Sequence, residues 1–323
     1  MRLGRASTLA MCCIIATAGS LAPAATLAQQ ETTTPSDIAG TTDTAVASGA
    51  TGDAPQPRIE PMPDGSMRMV FGGRSLDSDF ANLSLRFNWS KRFGPKPTPY
   101  SIENESFVVY MPPDYNPAQA THGLMIWISP SAHGGVPAPW VPVLDQQRLV
   151  WIGANDAGND RPVQWHRLAL ALDALHNLTQ HFAIDEERIY VSGFSGGSRA
   201  ASLLAQNYPD LLRGVLCICG VNYFRAVGNT ERRGYHFEAQ FMRPGPELYN
   251  LACTRSHFVL LTGERDFNRI ETYSIYKNGF RRDPFKHVAY IEVPDLEHEI
   301  PDAEWFERAL QALDDPSSVE EDG

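Results

Sequence analysis

The chain has 323 residues, of which 43% are hydrophobic, and it carries a formal net charge of −11 at neutral pH. This length allows one large domain or two small ones, and the apolar fraction is ordinary for a protein with a sizeable core. The acidic balance argues against nucleic acid, and against an anionic membrane, as the main partner.

Residues 1–28 have the three-part pattern of a signal peptide. Arg2 and Arg5 form a basic start, residues 10–21 are apolar or small, and Ala28 ends a run suited to cleavage. The apolar part is too short to span a bilayer. We therefore predict a secreted or periplasmic protein with no stable membrane insertion after cleavage.

Two further segments are predicted to lack a fixed structure. Residues 29–57 are rich in Thr, Ala, Gly, Ser and Pro and contain almost no large apolar side chain, which predicts a disordered low-complexity linker. Residues 314–323 are acidic and predict a flexible tail. The folded domain is therefore expected to cover residues 58–313.

Strands and helices alternate within this domain. Short apolar runs predict buried strands, and leucines at helical spacing predict helices. The predicted elements are strands at 107–111, 124–128 and 149–152, a helix at 164–182, a strand at 188–193, a helix at 196–206, strands at 214–219, 258–262 and 288–293, and a helix at 303–313. This alternation predicts an α/β protein with a mostly parallel sheet covered by helices on both faces.

The segment 221–252 interrupts the alternation and is rich in aromatic and basic residues. It follows the predicted strand 214–219, so it should lie at the carboxyl edge of the sheet, where ligands bind in such folds. We predict a substrate-facing loop or a small cap. The alternative is a solvated surface excursion.

Three cysteines would remain after leader cleavage, Cys217, Cys219 and Cys253. Export would permit a disulfide, and an odd count leaves one thiol unpaired. Cys217 and Cys219 share one face of a predicted strand, so spacing does not choose between them as the partner of Cys253. Small buried hydrophobic side chains are the alternative reading. The spacing suggests no zinc site, and we expect neither a metal nor a cofactor.

The motif with the clearest chemistry is Gly193-Phe-Ser-Gly-Gly197, a G-x-S-x-G sequence between a predicted strand and a predicted helix. In this placement the serine occupies a strained turn, and the flanking glycines remove side chains that would clash. The start of the helix directs N–H groups toward developing negative charge. The motif predicts Ser195 as a nucleophile.

A serine hydroxyl needs a base to take its proton and a third group to orient that base. In folds with this turn the partners follow in the order serine, acid, histidine. His298 follows strand 288–293 and is the predicted general base. Asp266 follows strand 258–262 and is the predicted acid, with Glu264 as the nearest alternative.

An oxyanion intermediate needs two N–H donors. We predict Gly196, directly after the nucleophile, as one of them. Ser131, just past strand 124–128, is the predicted second donor, and the run His133-Gly-Gly135 is an alternative source.

Several further residues flank the predicted mouth of the site. Asn155 and Asn159 follow strand 149–152 and would shape the same edge. The aromatic residues are predicted to line an acyl pocket, with core or rim packing as the alternative. They are Trp140, Trp165, His166, Tyr223 and Phe224.

Over residues 100–313 the chain resembles the polyhydroxybutyrate depolymerase and feruloyl esterase branch of the α/β-hydrolases. The resemblance is carried by Gly193–Gly197, Tyr110-Met-Pro-Pro-Asp-Tyr115, Tyr208-Pro-Asp, Leu261-Thr-Gly-Glu-Arg-Asp266 and Pro294-Asp-Leu-Glu-His-Glu-Ile-Pro301. It implies a three-layer α/β-hydrolase fold and a secreted serine esterase with the triad Ser195, Asp266 and His298. The implied substrate is a small-molecule or polymeric ester, of polyester or of feruloyl or acetyl type, cleaved through an acyl-enzyme.

The chain departs from this family's pattern at two places. Ser129-Pro130 stands where the family has His-Gly after the oxyanion strand, and proline has no N–H to donate. Glu297 stands where the family has glycine before the triad histidine. Two other functions are compatible with the motifs: a serine peptidase on the same fold, and a binding protein whose triad has decayed.

Overall fold

The computed structural model describes residues 55–87 and 100–318. The predicted signal peptide, most of the predicted linker and residues 319–323 of the predicted tail lie outside these ranges. Within them, no helix is both long and apolar enough to cross a membrane.

A nine-stranded sheet forms the centre of the described part of the chain. Its strands are β1 (Arg58–Pro61), β2 (Met67–Val70), β3 (Phe107–Tyr110), β4 (Gly123–Ile128), β5 (Leu149–Ala154), β6 (Ile189–Phe194), β7 (Gly214–Ile218), β10 (His257–Gly263) and β11 (His287–Val293). A separate two-stranded sheet consists of β8 (Val227–Gly228) and β9 (His236–Phe237).

The strands of the large sheet are arranged in the order β1-β2-β3-β5-β4-β6-β7-β10-β11. The pairs β1–β2, β2–β3 and β3–β5 are antiparallel, whereas all pairs from β5 to β11 are parallel. The prediction of a mostly parallel sheet is confirmed.

Seven α-helices accompany the sheet within the described ranges. They are α1 (Phe80–Arg86), α2 (Val141–Gln147), α3 (Leu168–His181), α4 (Gly196–Asn207), α5 (Pro246–Thr254), α6 (Arg269–Ser274) and α7 (Ala303–Asp314). π-helical turns precede α3 at Val163–Arg167 and follow α6 at Ile275–Phe280.

The side chains of β4 show how the layers form. Leu124 and Ile126 belong to the hydrophobic cluster that includes α3 and α4, whereas Met125 and Trp127 belong to the cluster that includes α2 and α7. All six residues of the strand are buried. A strand covered on both faces requires a continuous apolar run rather than alternation, which is the pattern read from the sequence.

The sequence predicted some elements incompletely. The predicted helix 164–182 is a π-helical turn followed by α3, and β1, β2, α1, α2 and α6 were not predicted. The insertion after β7 holds β8, β9 and the nine-residue helix α5. Asp314, assigned to the tail, instead ends α7, where its carboxylate accepts bonds from Arg188 at 2.9 and 3.0 Å and from the Tyr190 hydroxyl at 2.6 Å.

The three cysteines of the domain, Cys217, Cys219 and Cys253, are buried free thiols. The sequence left two interpretations open, a disulfide or small buried hydrophobic side chains. The structure agrees with the second, because all three thiols are free and buried. Cys217 and Cys253 belong to one hydrophobic cluster, whereas Cys219 belongs to the other.

The cluster on the α2 and α7 side is built around Trp140, which is fully buried. Its ring stacks on Phe306 with centroids 3.9 Å apart, and its indole N–H donates to the Pro301 carbonyl at 2.9 Å. Aromatic burial of this kind contributes strongly to stability because the ring is large and its one polar group has a partner.

We expect Trp140→Ala to lower the free energy of unfolding by about 3–5 kcal/mol, because it removes a fully packed ring and leaves a cavity. Urea denaturation followed by fluorescence measures this. Leu76→Ala is the control, since Leu76 is 82% exposed and its truncation should change stability by less than about 0.5 kcal/mol. Equal stability of the two variants would contradict this description of the core.

Candidate active site

Ser195 lies on a strained turn between β6 and α4. Its backbone has φ 53° and ψ −119°, a conformation that costs about 1–3 kcal/mol and persists only where the surroundings impose it. The Ser195 N–H donates to the Ile218 carbonyl at 2.9 Å. A Cβ on Gly197 would overlap the Ile128 carbonyl oxygen, so only glycine permits this approach of β4.

The three predicted triad residues are joined by hydrogen bonds. His298 Nε2 lies 2.9 Å from Ser195 Oγ, and His298 Nδ1 lies 2.7 Å from Asp266 Oδ1. Glu264 is exposed and instead accepts the Asp295 N–H at 3.0 Å. The structure thus brings Asp266, and not Glu264, to the imidazole.

The Asp266 carboxylate is buried and held in one orientation. Its Oδ2 accepts the Thr262 hydroxyl at 2.7 Å, and its Oδ1 accepts the Asn268 backbone N–H at 2.9 Å in addition to the imidazole. Because these two donors fix the orientation of the carboxylate, it can hold the imidazole with Nε2 directed at Ser195.

The His298 imidazole lies between two phenylalanine rings. The Phe194 centroid is 5.0 Å and the Phe267 centroid 4.0 Å from that of the imidazole. Phe267 is nevertheless 75% exposed, which makes it an apolar surface beside the triad. Sequence reasoning missed it, although its position directly after the predicted acid was a usable signal.

The oxyanion donors are only partly as predicted. Gly196 is the first residue of α4, so its N–H has no acceptor within the helix. The Ser131 N–H, predicted as the second donor, instead donates to Ser129 Oγ at 3.1 Å. In the alternative run, the His133 N–H donates to Ser131 Oγ at 3.4 Å and the Gly134 N–H to Asn155 Oδ1 at 3.2 Å.

A buried guanidinium that the sequence did not reveal lies beneath this loop. Arg167 donates from Nη2 to the Ser129 carbonyl at 2.7 Å and from Nε to the Ala157 carbonyl at 2.8 Å. Its Nη1 donates to Asn159 Oδ1 at 3.1 Å and to the Gly196 carbonyl at 3.4 Å. Burial lowers the pKa of Arg167 to about 10. One arginine therefore connects the loops after β4 and β5 with the nucleophile turn.

Two of the predicted pocket aromatics belong to the core. Trp140 lines a surface depression of about 480 Å³ together with residues 293–296 and 299–302, but its own ring is fully buried as described above. Tyr223 is also buried, and its hydroxyl donates to Asp283 at 2.7 Å. Both rings are therefore packed in the core, which is the alternative that the sequence left open, and their burial does not support a place for them in an acyl pocket.

The other three predicted pocket residues are partly buried. Phe224 packs against Tyr223, with centroids 4.4 Å apart. Trp165 packs edge-on against Phe80, and His166 packs edge-on against Tyr100. Burial lowers the pKa of His166. Trp165 and His166 precede Arg167 in the same π-helical turn, and a role for them in substrate binding stays a prediction.

Cys219, Asp266 and His298 each place one potential metal-ligand atom within 4.8 Å of the other two. Burial, and then the neighbouring Asp266 carboxylate, raises the pKa of the Cys219 thiol well above its usual range. Metal ligation requires the thiolate, whereas this environment favours the neutral thiol. The arrangement is better suited to proton transfer between a hydroxyl and an imidazole.

Comparison with known proteins gives a likeness of fold. No protein-family model matches the chain, and no curated protein sequence matches it. Among solved structures, a variant of the feruloyl esterase module from Clostridium thermocellum, in complex with sinapinate, matches with a TM-score of 0.51 at 10% identity over 68% of this chain and 86% of that one.

A poly(3-hydroxybutyrate) depolymerase from Bordetella parapertussis matches with a TM-score of 0.46 at 16% identity, over 64% of this chain and 88% of that one. An esterase from Pyrobaculum calidifontis matches with a TM-score of 0.49 at 13% identity, over 67% and 80%. Together with the strand order, the likeness to the feruloyl esterase module identifies the fold as that of the α/β-hydrolases.

We expect Asp266→Asn to slow covalent labelling of Ser195 by a fluorophosphonate by several orders of magnitude. An amide cannot hold the imidazole in the required tautomer, and the same change in serine proteases lowers turnover by about 10⁴-fold. Labelling rates of the purified proteins measure the effect. Glu264→Gln is the matched control and should label at the wild-type rate; slow labelling of both variants would contradict the assignment of the acid.

Proposed function

We propose that this protein is a serine esterase that hydrolyses carboxylic esters through an acyl-enzyme. The observation that carries the proposal is the chain of hydrogen bonds from Asp266 through His298 to Ser195 Oγ, with distances of 2.7 and 2.9 Å, at a strained strand-to-helix turn. This geometry allows the imidazole to take the hydroxyl proton as the oxygen attacks.

In the acylation step, Ser195 Oγ attacks the ester carbonyl carbon and transfers its proton to His298 Nε2. Asp266 stabilises the resulting imidazolium through Nδ1–H. The carbonyl oxygen becomes an oxyanion near the Gly196 N–H and the positive end of the α4 dipole. When the tetrahedral intermediate collapses, His298 returns the proton to the leaving alcohol.

Deacylation repeats the same chemistry with water. His298 Nε2 takes a proton from a water molecule, and the hydroxide oxygen attacks the acyl carbonyl. Collapse of the second tetrahedral intermediate breaks the bond to Ser195 Oγ, which regains its proton from the imidazole. The products are a carboxylic acid and the free enzyme.

Exposed apolar side chains beside the base support an ester with an apolar or aromatic part. Phe267 is 75% exposed and contacts the imidazole, and Ile300, two residues after His298, is 38% exposed. Isolated apolar surface at a reactive centre is suited to desolvating a substrate that carries no charge there. The exposed apolar side chains therefore support esters whose acyl group is apolar or aromatic, including polymeric esters, over esters with highly polar acyl groups.

The test measures hydrolysis of a panel of hydroxycinnamoyl, acetyl and 3-hydroxybutyrate polymer esters. Peptide amides are included to test the serine peptidase alternative. The wild type should cleave at least one ester, and Ser195→Ala should lose at least about 10⁴-fold in turnover, because removing a triad nucleophile disables the triad as a unit. Ser101→Ala, which changes a remote exposed serine, is the matched control.

Preferential cleavage of the amides would favour the peptidase alternative. Turnover that survives Ser195→Ala would contradict the proposed nucleophile. A folded wild-type protein that neither cleaves a substrate nor reacts with a fluorophosphonate would favour the binding-protein alternative.

We also propose that residues 1–28 direct export and are removed after Ala28. The full chain should yield a periplasmic or extracellular protein that begins at Gln29 when it is produced in a Gram-negative host. N-terminal mass spectrometry of the cell fractions measures this. The double change Arg2→Glu, Arg5→Glu is the control and should retain the precursor in the cytoplasm, since it removes the basic start of the leader. An intact N-terminus on cytoplasmic wild-type protein would contradict the proposal.

A further inference from the structure

The site as described lacks one oxyanion donor. Gly196 can supply one N–H, but Pro130, two residues after the end of β4, has none to donate. The N–H groups of Ser131, His133 and Gly134 already have acceptors within the protein. Because these three N–H groups are engaged, another segment that approaches Gly196 is a candidate source of the second donor.

We propose that the side-chain amide of Asn159 is this second donor, an inference that rests on the proposed esterase function. Asn159 lies in the loop after β5, and its backbone N–H donates to the Pro130 carbonyl at 2.9 Å. This bond fixes Asn159 to the loop segment that lacks a donor of its own.

The amide orientation is determined by Arg167. Nη1 of the guanidinium lies 3.1 Å from the Asn159 side chain, and a guanidinium can only donate, so the atom facing it is Oδ1. Nδ2 then points away from Arg167. It makes no hydrogen bond with any residue that the structure describes, and Asn159 is exposed, so Nδ2 is available to a ligand.

The amide lies directly against the residue that follows the nucleophile. A Cβ on Gly196 would overlap Asn159 Oδ1 and would lie 2.9 Å from Nδ2. A side chain at position 196 would have to displace the Asn159 amide. The Asn159 amide therefore lies beside the residue that supplies the first oxyanion donor.

Arg167 makes the donor rigid. The same guanidinium holds the Ser129 and Ala157 carbonyls, so both loops are fixed before substrate arrives. Donors that need no rearrangement during the reaction stabilise a developing charge most effectively. In this arrangement Arg167 is a positioning residue and Asn159 is a catalytic residue.

Two variants test this together: Asn159→Asp keeps the oxygen that Arg167 requires but replaces the donor by a negatively charged acceptor, and Asn159→Ala removes the donor without adding a charge. Asn159→Asp should lower kcat by about 10²–10³-fold, the usual loss for one oxyanion donor, with little change in KM. Asn159→Ala should show a loss of the same order. Asn116→Asp is the control, since it makes the same charge change at an exposed side chain that accepts the Ala118 N–H at 2.9 Å.

A second readout separates catalysis from a structural role. A trifluoromethyl ketone forms a tetrahedral adduct with an anionic oxygen, so its affinity should fall in step with kcat/KM in both Asn159 variants. Affinity for a neutral substrate analogue that lacks the reactive carbonyl, and the thermal unfolding midpoint, should stay at wild-type values. A merely structural role would instead lower the unfolding midpoint and weaken both ligands together.

The inference is overturned if folded Asn159→Asp, or folded Asn159→Ala where the first variant does not fold, retains turnover and ketone affinity within about threefold of wild type. That result would leave the esterase proposal intact, because Ser195-dependent turnover would persist. Absence of Ser195-dependent turnover in the wild type would overturn the esterase proposal, and this inference with it.

Discussion

The rest of the site depends on the backbone conformation at Ser195. A serine with φ 53° is unfavourable on its own, and here it is imposed by β6 on one side and by α4 on the other. The close approach of the Ile128 carbonyl to Gly197 leaves no room for the turn to relax. The strained conformation lifts Oγ out of the sheet, where side chains from the loops after other strands can contact it.

The order of the strands determines which side chains reach that point. In a parallel sheet the carboxyl ends of neighbouring strands meet at one edge. Asp266 follows β10 and His298 follows β11, while the loops after β4 and β5 approach from the other side of β6. Residues far apart in sequence therefore meet around one hydroxyl, and Arg167, from the turn before α3, holds the two loops together.

The sequence predicted the strand ends better than the side chains between them. Ser195, Asp266 and His298 could be located because each follows a recognisable strand and the order of their roles is fixed by topology. The location of Trp140 and Tyr223 could not be predicted, because an aromatic residue with one polar atom is equally compatible with a core position and with a pocket wall. Arg167 was missed because nothing local distinguishes a buried arginine. Its role depends on carbonyls contributed by segments around residues 129 and 157.

The unpaired thiols have a consequence for how the domain matures. Cys217, Cys219 and Cys253 lie inside the domain, so the fold is held by packing and hydrogen bonds and needs no oxidant to form. These three cysteines form no disulfide that glutathione could reduce. None of their sulfur atoms is exposed, so they are not available for coupling to another thiol. Burial also shields all three sulfur atoms, so reagents in solution that modify thiols can reach them only when the domain opens.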